Sequence, residues 1–399
     1  MGPPKSAVVF LPKTTLPVVR IDTDGGVPIG SRETYVSGRV STSPAPGGPA
    51  SDAYSGATEV RGHGNSTWGR PKKPYRLKLG KAAALFGLPS SKHWVLLANY
   101  IDRSNLRNAV ALHLGAQTSL AWTPRTRFVE LVLNGKYVGL YQLAEHVRLD
   151  KNRIDIDALK PGDTAGDALT GGYHIELEQR LDLAATPGFA TPLGNRFELK
   201  DLEAPAPEQS AYISGYVAAF ERSLMSPAFT SPEAGYGAYI DQASFIDWYL
   251  VEEALKNNDA WFSSAHFYKP RLGKLKAGPL WDFDQSAGMP TPNRAQTPDG
   301  WGLRRNSRWF GRLHDDPTFR AAVKARWIEL RPQLDALAPF IDEQAAQIGQ
   351  AALLDQQVWK LPNTFAREVG NVKKFIAARA RWIDAQYGVA PASAATARR

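Results

Sequence analysis

The sequence predicts an α+β protein of two lobes, strand-rich at the N-terminal end and helical at the C-terminal end, with a cleft between them. Two observations carry this. Up to about residue 200, the clearest signals are period-two alternation and Asn-Gly or Gly-rich turns, which strands and hairpins require. From about Pro205 onward, apolar residues recur at helical spacing. The expected division is an N-terminal strand-and-loop stretch over 1–58, the body of the N-terminal lobe over 59–204, a helical C-terminal lobe over 205–389, and a disordered tail over 390–399.

Taken in order, residues 16–23 (Leu-Pro-Val-Val-Arg-Ile-Asp-Thr) alternate as a strand, and Asp24-Gly25-Gly26 supplies a turn of the hairpin type. Residues 41–51, rich in Pro and Gly, read as a solvated loop. In Tyr75-Arg76-Leu77-Lys78-Leu79 the strict alternation places Arg76 and Lys78 on one face and the apolar residues on the other. A helix opens at Ser104 or Asn105 and runs to about Gln117, with Leu106, Val110 and Leu114 on one stripe. Residues 128–133 and 136–143 flank Asn134-Gly135, a strong hairpin signal, and 173–178 form another strand. Helices are expected near 207–225, 241–257, 317–331, 333–353 and 364–386, with Asp241 as an N-cap. The chain shows no internal repeat.

Composition narrows the classes of function. With 43% hydrophobic and 22% charged residues the chain can bury a core, and no apolar run reaches the roughly 18 residues a membrane span needs. The opening residues Met1-Gly2-Pro3-Pro4-Lys5 hold no apolar signal core, so a secretory signal is expected to be absent or removed. The absence of cysteine excludes disulfides, thiol catalysis and Cys-ligated zinc, and the seven histidines show no H-E-x-x-H spacing. A net charge of +9 suits an anionic partner or a solubilising basic surface. The basic residues recur near motifs such as Arg70-Pro71-Lys72-Lys73 rather than in one block, and no nucleic-acid-binding motif is present.

The chemistry concentrates in residues 257–284. Asp259 leaves a helix end into a loop, a polar residue, Ser264, follows five positions later, and a hairpin turning near Arg271-Leu272-Gly273 ends in the carboxylates Asp282 and Asp284. Phosphoryl transfer calls for such a layout: one carboxylate to accept the acceptor's proton and others to hold cations against the phosphates. Acidic pairs at strand ends also serve as loop caps and ion-pair partners. Asp282-Phe283-Asp284 departs from the D-F-G of protein kinases by its last residue, and Ser264 departs from their metal-binding Asn.

Arg61-Gly-His-Gly-Asn-Ser-Thr-Trp-Gly69, Pro71-Lys-Lys-Pro-Tyr-Arg-Leu-Lys78, Leu85-Phe-Gly-Leu88, Trp94-Val-Leu-Leu-Ala-Asn-Tyr100 and Leu106-Arg-Asn-Ala109 follow one another in order. Next come Asn134-Gly-Lys-Tyr-Val-Gly-Leu-Tyr-Gln-Leu-Ala-Glu145, Asn258-Asp259, Phe267-Tyr268-Lys269 and Trp281-Asp-Phe-Asp284. This string resembles the spore-coat-protein-H (CotH) kinase family over roughly residues 15–385. The resemblance implies an atypical protein-kinase fold that binds ATP with Mg²⁺ (or Mn²⁺) and phosphorylates Ser/Thr of secreted or coat proteins. It implies Asp259 as the catalytic carboxylate and Asp282 as a metal ligand, with Asp284 and Ser264 as further metal candidates.

For ATP itself the candidates are Lys73 first and Arg76 second, with Lys78, Arg61 and the Gly-rich Asn65-Ser66 stretch near the phosphates. Glu145 is a candidate partner for the phosphate-binding lysine or one half of a surface salt bridge. Trp261 is a candidate to stack on adenine. The resulting expectation is a secreted, cell-surface or periplasmic Ser/Thr kinase acting on an acidic protein acceptor, without a membrane span. The alternatives are a non-catalytic CotH-like binding module and a nucleotide-dependent transferase with a non-protein acceptor.

Overall fold

The computed structural model describes residues 14–290 and 297–390, which divide into two compact units, each discontinuous in sequence. The first takes the described residues up to Leu106 with Arg125–His146 and Phe340–Val369. The second takes Arg107–Pro124, Val147–Pro339 and the described residues from Gly370 on.

The first unit is built on a closed seven-stranded barrel. Its strands are β1 (Val18–Thr23), β2 (Val36–Ser43), β3 (Tyr54–Gly62), β4 (Tyr75–Leu85), β5 (Leu88–Leu97), β6 (Thr126–Leu133) and β7 (Lys136–Glu145), in the order β1-β2-β3-β4-β5-β7-β6. Closure comes from β6, which pairs in parallel with β1 from Val18↔Glu130 to Ile21↔Leu133 and so leaves the sheet without an edge. Along β4 the expected alternation holds: Tyr75, Leu77 and Leu79 are buried, Arg76 is half-buried and Lys78 is exposed. The Asn-Gly hairpin also forms between β6 and β7, with positive φ at both Asn134 (48°) and Gly135 (73°). The Asn134 side chain accepts from the Thr23 amide at 2.8 Å, tying this turn to the end of β1. Asp24–Gly26 is a short 3₁₀ turn rather than a tight hairpin, because the partner strand begins only at Val36.

The second unit contains a five-stranded sheet and most of the helices. The strands β8 (Tyr173–Leu177), β9 (Gly188–Ala190), β10 (Arg196–Lys200), β11 (Ala265–Lys269) and β12 (Lys276–Ala277) run in the order β12-β11-β8-β10-β9. The helices in chain order are α1 (Arg107–Gly115), the single turn α2 (Gly166–Leu169), α3 (Pro207–Met225), α4 (Gln242–Leu255), the short α5 (Leu303–Asn306) and α6 (Arg308–Leu313), α7 (Pro317–Asp335), α8 (Leu337–Val358) and α9 (Phe365–Tyr387). Asp241 caps α4 as expected, accepting from the Ser244 amide. The core of this unit is aromatic: Trp309 packs on Phe197, Phe220, Phe245 and Phe267 with ring centroids 4.8–6.5 Å apart. Within it the carboxylate of Glu221 accepts from Thr191 Oγ1, Asn195 Nδ2, Trp309 Nε1 and the Leu193 amide. A buried acid so placed has its hydrogen-bonding capacity filled without a cation.

The α+β class holds, but the expected division at 204/205 is corrected. Residues 147–204 fold with the second unit because β8 pairs with β11, across 265–269. Phe340–Val369, which holds most of α8 and the start of α9, belongs with the barrel. There Asp355 accepts from the Leu140 amide at 3.0 Å and Trp359 donates to the Val138 carbonyl at 2.9 Å. The expected tail lies, apart from residue 390, outside the described residues.

His314, which caps α6, is buried against Tyr249 and Phe319, and its Nδ1 lies 2.7 Å from the Phe310 carbonyl. Burial pushes its pKa down from 6.5 to about 4. The unfolded chain therefore binds a proton here below pH 6.5 that the folded chain refuses until about pH 4. Stability falls as pH drops through that window, by on the order of 2–3 kcal/mol from this group. His314→Gln should flatten the fall in melting temperature between pH 6.5 and 4; an unchanged slope would remove His314 as its source.

Candidate functional site

The carboxylates singled out by sequence come together where α4 ends. Lys256 turns left-handed (φ 48°) and its amide donates to the Glu252 and Glu253 carbonyls, stopping the helix and releasing Asn257-Asn258-Asp259 into a loop. The Asp259 carbonyl then accepts from the Phe262 and Ser263 amides at 2.8 and 3.1 Å, folding the loop back toward β11. Ser264, also left-handed (φ 60°), opens that strand.

A second loop, 282–286, is laced to the first. Ser264 Oγ donates to Asp282 Oδ2 at 3.2 Å, Asn257 Nδ2 to the Asp282 carbonyl at 3.3 Å, and Asn258 Nδ2 to the Gln285 carbonyl at 2.9 Å. Gln285 Nε2 donates to Asp259 Oδ2. From behind, Asn108 of α1 accepts the Phe283 amide at 2.7 Å and Arg107 Nε donates to the Ser286 carbonyl at 2.9 Å. Arg107 and Asn108 therefore orient the metal-candidate loop, a role their sequence position at a helix start did not reveal.

Asp259 and Asp282 are half-buried, whereas Asp284 and the intervening Phe283 are buried. Burial, reinforced by the charge of Asp259, pushes the Asp282 carboxyl up to about 6. A carboxylate whose proton affinity is raised by a second one beside it also favours a hard cation in the proton's place. The donor set fits Mg²⁺, which takes one or two carboxylates and fills its remaining positions from water and phosphate. Among the described residues no trio of His, Cys, Asp or Glu is arranged to hold a metal on protein ligands alone.

Next to these loops runs a polar sheet face. Lys200 bridges Glu176 and Glu198 at 2.9 and 3.0 Å. His174 Nδ1 lies 2.9 Å from Asp201, and its Nε2 lies 3.1 Å from His266 Nδ1. Burial drives the His266 pKa down to about 3, so its ring is neutral. At Glu176 burial acts upward, but the charge and hydrogen bond of Lys200 outweigh it and bring the group to about 2. A further arginine, Arg180, is clamped by Glu178 through Nε–Oε1 (2.9 Å) and Nη2–Oε2 (3.1 Å). The Glu-x-Arg spacing was its only sequence signal.

Trp261 does not stand clear as a stacking platform. Its ring packs into the aromatic core, 5.0 Å from Trp309, and its Nε1 donates to Asn195 at 3.1 Å. The remaining cofactor candidates lie in the first unit. Arg61 and Arg76 are paired across β3 and β4, Arg61 lies over the Tyr35 ring, and Lys78 bridges to Glu59 at 2.8 Å. Asn65 accepts from Arg32 at 2.9 Å, and Ser66 begins a 3₁₀ turn. Lys73 Nζ donates to the Trp68 carbonyl at 2.6 Å, and the fully buried lysine is its neighbour Lys72, paired with Asp355 at 2.8 Å. Glu145 is held by Arg125 rather than by a lysine: the guanidinium grips both oxygens at 2.9 Å and the Arg125 amide donates as well. The expected Lys–Glu145 pair is corrected accordingly. Breaking the new pair with Glu145→Ala leaves Arg125 half-exposed to water and should cost about 1–3 kcal/mol, read by denaturant unfolding; no change would mean that the pair is dispensable.

A family model described as CotH kinase protein matches residues 60–383. The match covers well over half of the chain, so the protein belongs to the CotH kinase family and is kinase-like on that ground. The matched span starts inside β3, although the barrel closes only with β1 and β2. No curated protein matches the chain. Among the described residues no helix is long and apolar enough to cross a membrane.

Proposed function

We propose that this protein is a phosphotransferase that moves the γ-phosphate of ATP to a Ser or Thr hydroxyl of a protein acceptor outside the cytoplasm. The observation that supports it most is the interlaced pair of loops that sets Asp259 beside Asp282 and Ser264, in a chain of the CotH kinase family. Asp259, oriented by Gln285, takes the acceptor's hydroxyl proton. Asp282, with Ser264 beside it, would hold Mg²⁺, and Asp284 is the further candidate ligand. The metal supplies charge neutralisation for the phosphates when bound. Arg61, Lys73, Arg76 and Lys78 are proposed to meet phosphate charge.

Intact-mass analysis of acidic acceptor proteins incubated with ATP and Mg²⁺ tests this. The expected product is the acceptor carrying one or more phosphates. An AMP adduct would instead indicate nucleotidyl transfer from the same site. An unmodified acceptor, with no effect of ATP on melting temperature, would favour a non-catalytic binding module.

A further inference from the structure

Beside the Asp259 loop lies a plate made of an arginine and a phenylalanine. Arg180 follows the end of β8, and its guanidinium sits 5.0 Å from the centroid of the Phe262 ring. Both groups face solvent: the Arg180 side chain is 46% exposed and Phe262 41%. The plate is nonetheless fixed. The Glu178 carboxylate, only 10% exposed, grips Nε and Nη2 and also accepts the Arg180 amide at 3.0 Å. Gln179 donates its amide to the Phe262 carbonyl at 2.9 Å, and Gln179 and Trp261 both donate to Asn195 Oδ1.

Arg180 gives the nearly buried Glu178 a partner, but a pair half open to water adds little to stability, and a phenylalanine this exposed gains only part of the benefit of burial. What it offers is a preorganised cation. The Glu178 clamp leaves the N–H bonds of Nη1 for another acceptor, and a guanidinium held in place over an aromatic ring suits a carboxylate. Its place in the chain says which ligand it serves. Phe262 donates its amide to the Asp259 carbonyl, so the plate belongs to the loop where the acceptor hydroxyl is received. Arg180 also lies within electrostatic reach of both Asp259 and Asp282.

We propose that Arg180, held over Phe262, is a specificity-determining residue that binds a carboxylate side chain close to the acceptor hydroxyl, directing the protein to acidic segments. This rests on the phosphotransferase reading for the identity of the ligand, and the recognition itself is measurable without turnover. A fluorescein-labelled peptide with a central Ser flanked by Glu, and its Lys-flanked counterpart, are titrated with the full chain and followed by anisotropy. Wild type should favour the Glu peptide. Arg180→Glu should weaken its binding about 10–100-fold and reverse the preference, with Arg180→Lys retaining part of it. Arg180→Gln serves if the charge reversal fails to fold, and Phe262→Ala should cost several-fold.

Binding of the Glu peptide that is unchanged in Arg180→Gln overturns the proposal. So does a loss of turnover that falls equally on Glu- and Lys-flanked peptides, which would assign Arg180 to the phosphoryl group. If the wild type binds the Glu peptide through Arg180 but transfers no phosphate, recognition stands and the phosphotransferase reading fails.

Discussion

Asp259→Asn and Asp282→Asn should each abolish measurable phosphate transfer, but through different steps. In the proposed mechanism Asp259 meets the acceptor, so its replacement should lower turnover by about 10²–10⁴-fold, the usual worth of a positioned base. ATP with Mg²⁺ should still raise the melting temperature of that variant. Asp282 is the proposed cation ligand, so its replacement should lower turnover by about 10³-fold and also erase the Mg²⁺-dependent part of the ATP stabilisation. The two side chains are joined to one network through Gln285, Ser264 and the paired asparagines. Combining the substitutions should therefore cost far less than the product of the two effects. A variant of either residue that transfers phosphate at the wild-type rate would remove that residue from the mechanism.

The largest expected effect on stability lies in the barrel unit. Lys72 is fully buried and meets Asp355 at 2.8 Å, while its Nζ also donates to the Leu140 carbonyl. Burial lowers the lysine's pKa and raises that of the aspartate, and each opposes the other's shift by its charge. Lys72→Met strands a buried carboxylate and should cost about 3–5 kcal/mol, a fall in melting temperature on the order of 10 °C. Adding Asp355→Asn keeps an acceptor for the Leu140 amide and should recover much of that loss. Gly139 belongs to the same joint. It sits at φ 109°, and a Cβ there would strike the Asp355 carboxylate, so Gly139→Ala should also destabilise. If Lys72→Met melts like the wild type, the pair does not hold α8 to the barrel.

How far these features were legible in the sequence follows the range of the interactions behind them. The β4 alternation, the Asn134-Gly135 hairpin, the α3 span and the Asp241 cap are written within a few residues, and each forms as read. The carboxylate loops were legible for the same reason, since Asp259, Ser264 and Asp282 sit on one helix end and one hairpin. The barrel was not, because its closure needs β1 to find β6 across the chain. Which of Lys72 and Lys73 is buried shows the limit most sharply. Between β3 and β4 no regular alternation says which lysine turns inward, and the deciding partner, Asp355, comes from a helix late in the chain. Glu145 is similar: of its two expected roles one was to partner the phosphate-binding lysine, but the β6–β7 pairing brings Arg125 to it instead. Arg107, Asn108 and Arg180 act on the candidate site from remote elements, and only the folded arrangement shows what they touch.

The measurement that bears most directly on the central claim is incubation of the purified protein with γ-labelled ATP, Mg²⁺ and an acidic, Ser-containing protein. Label should appear on the acceptor's hydroxyl residues, require the metal, and disappear with Asp259→Asn. An acceptor that stays unlabelled with Mg²⁺ and with Mn²⁺, while ATP leaves the melting temperature where it was, would contradict the phosphotransferase account.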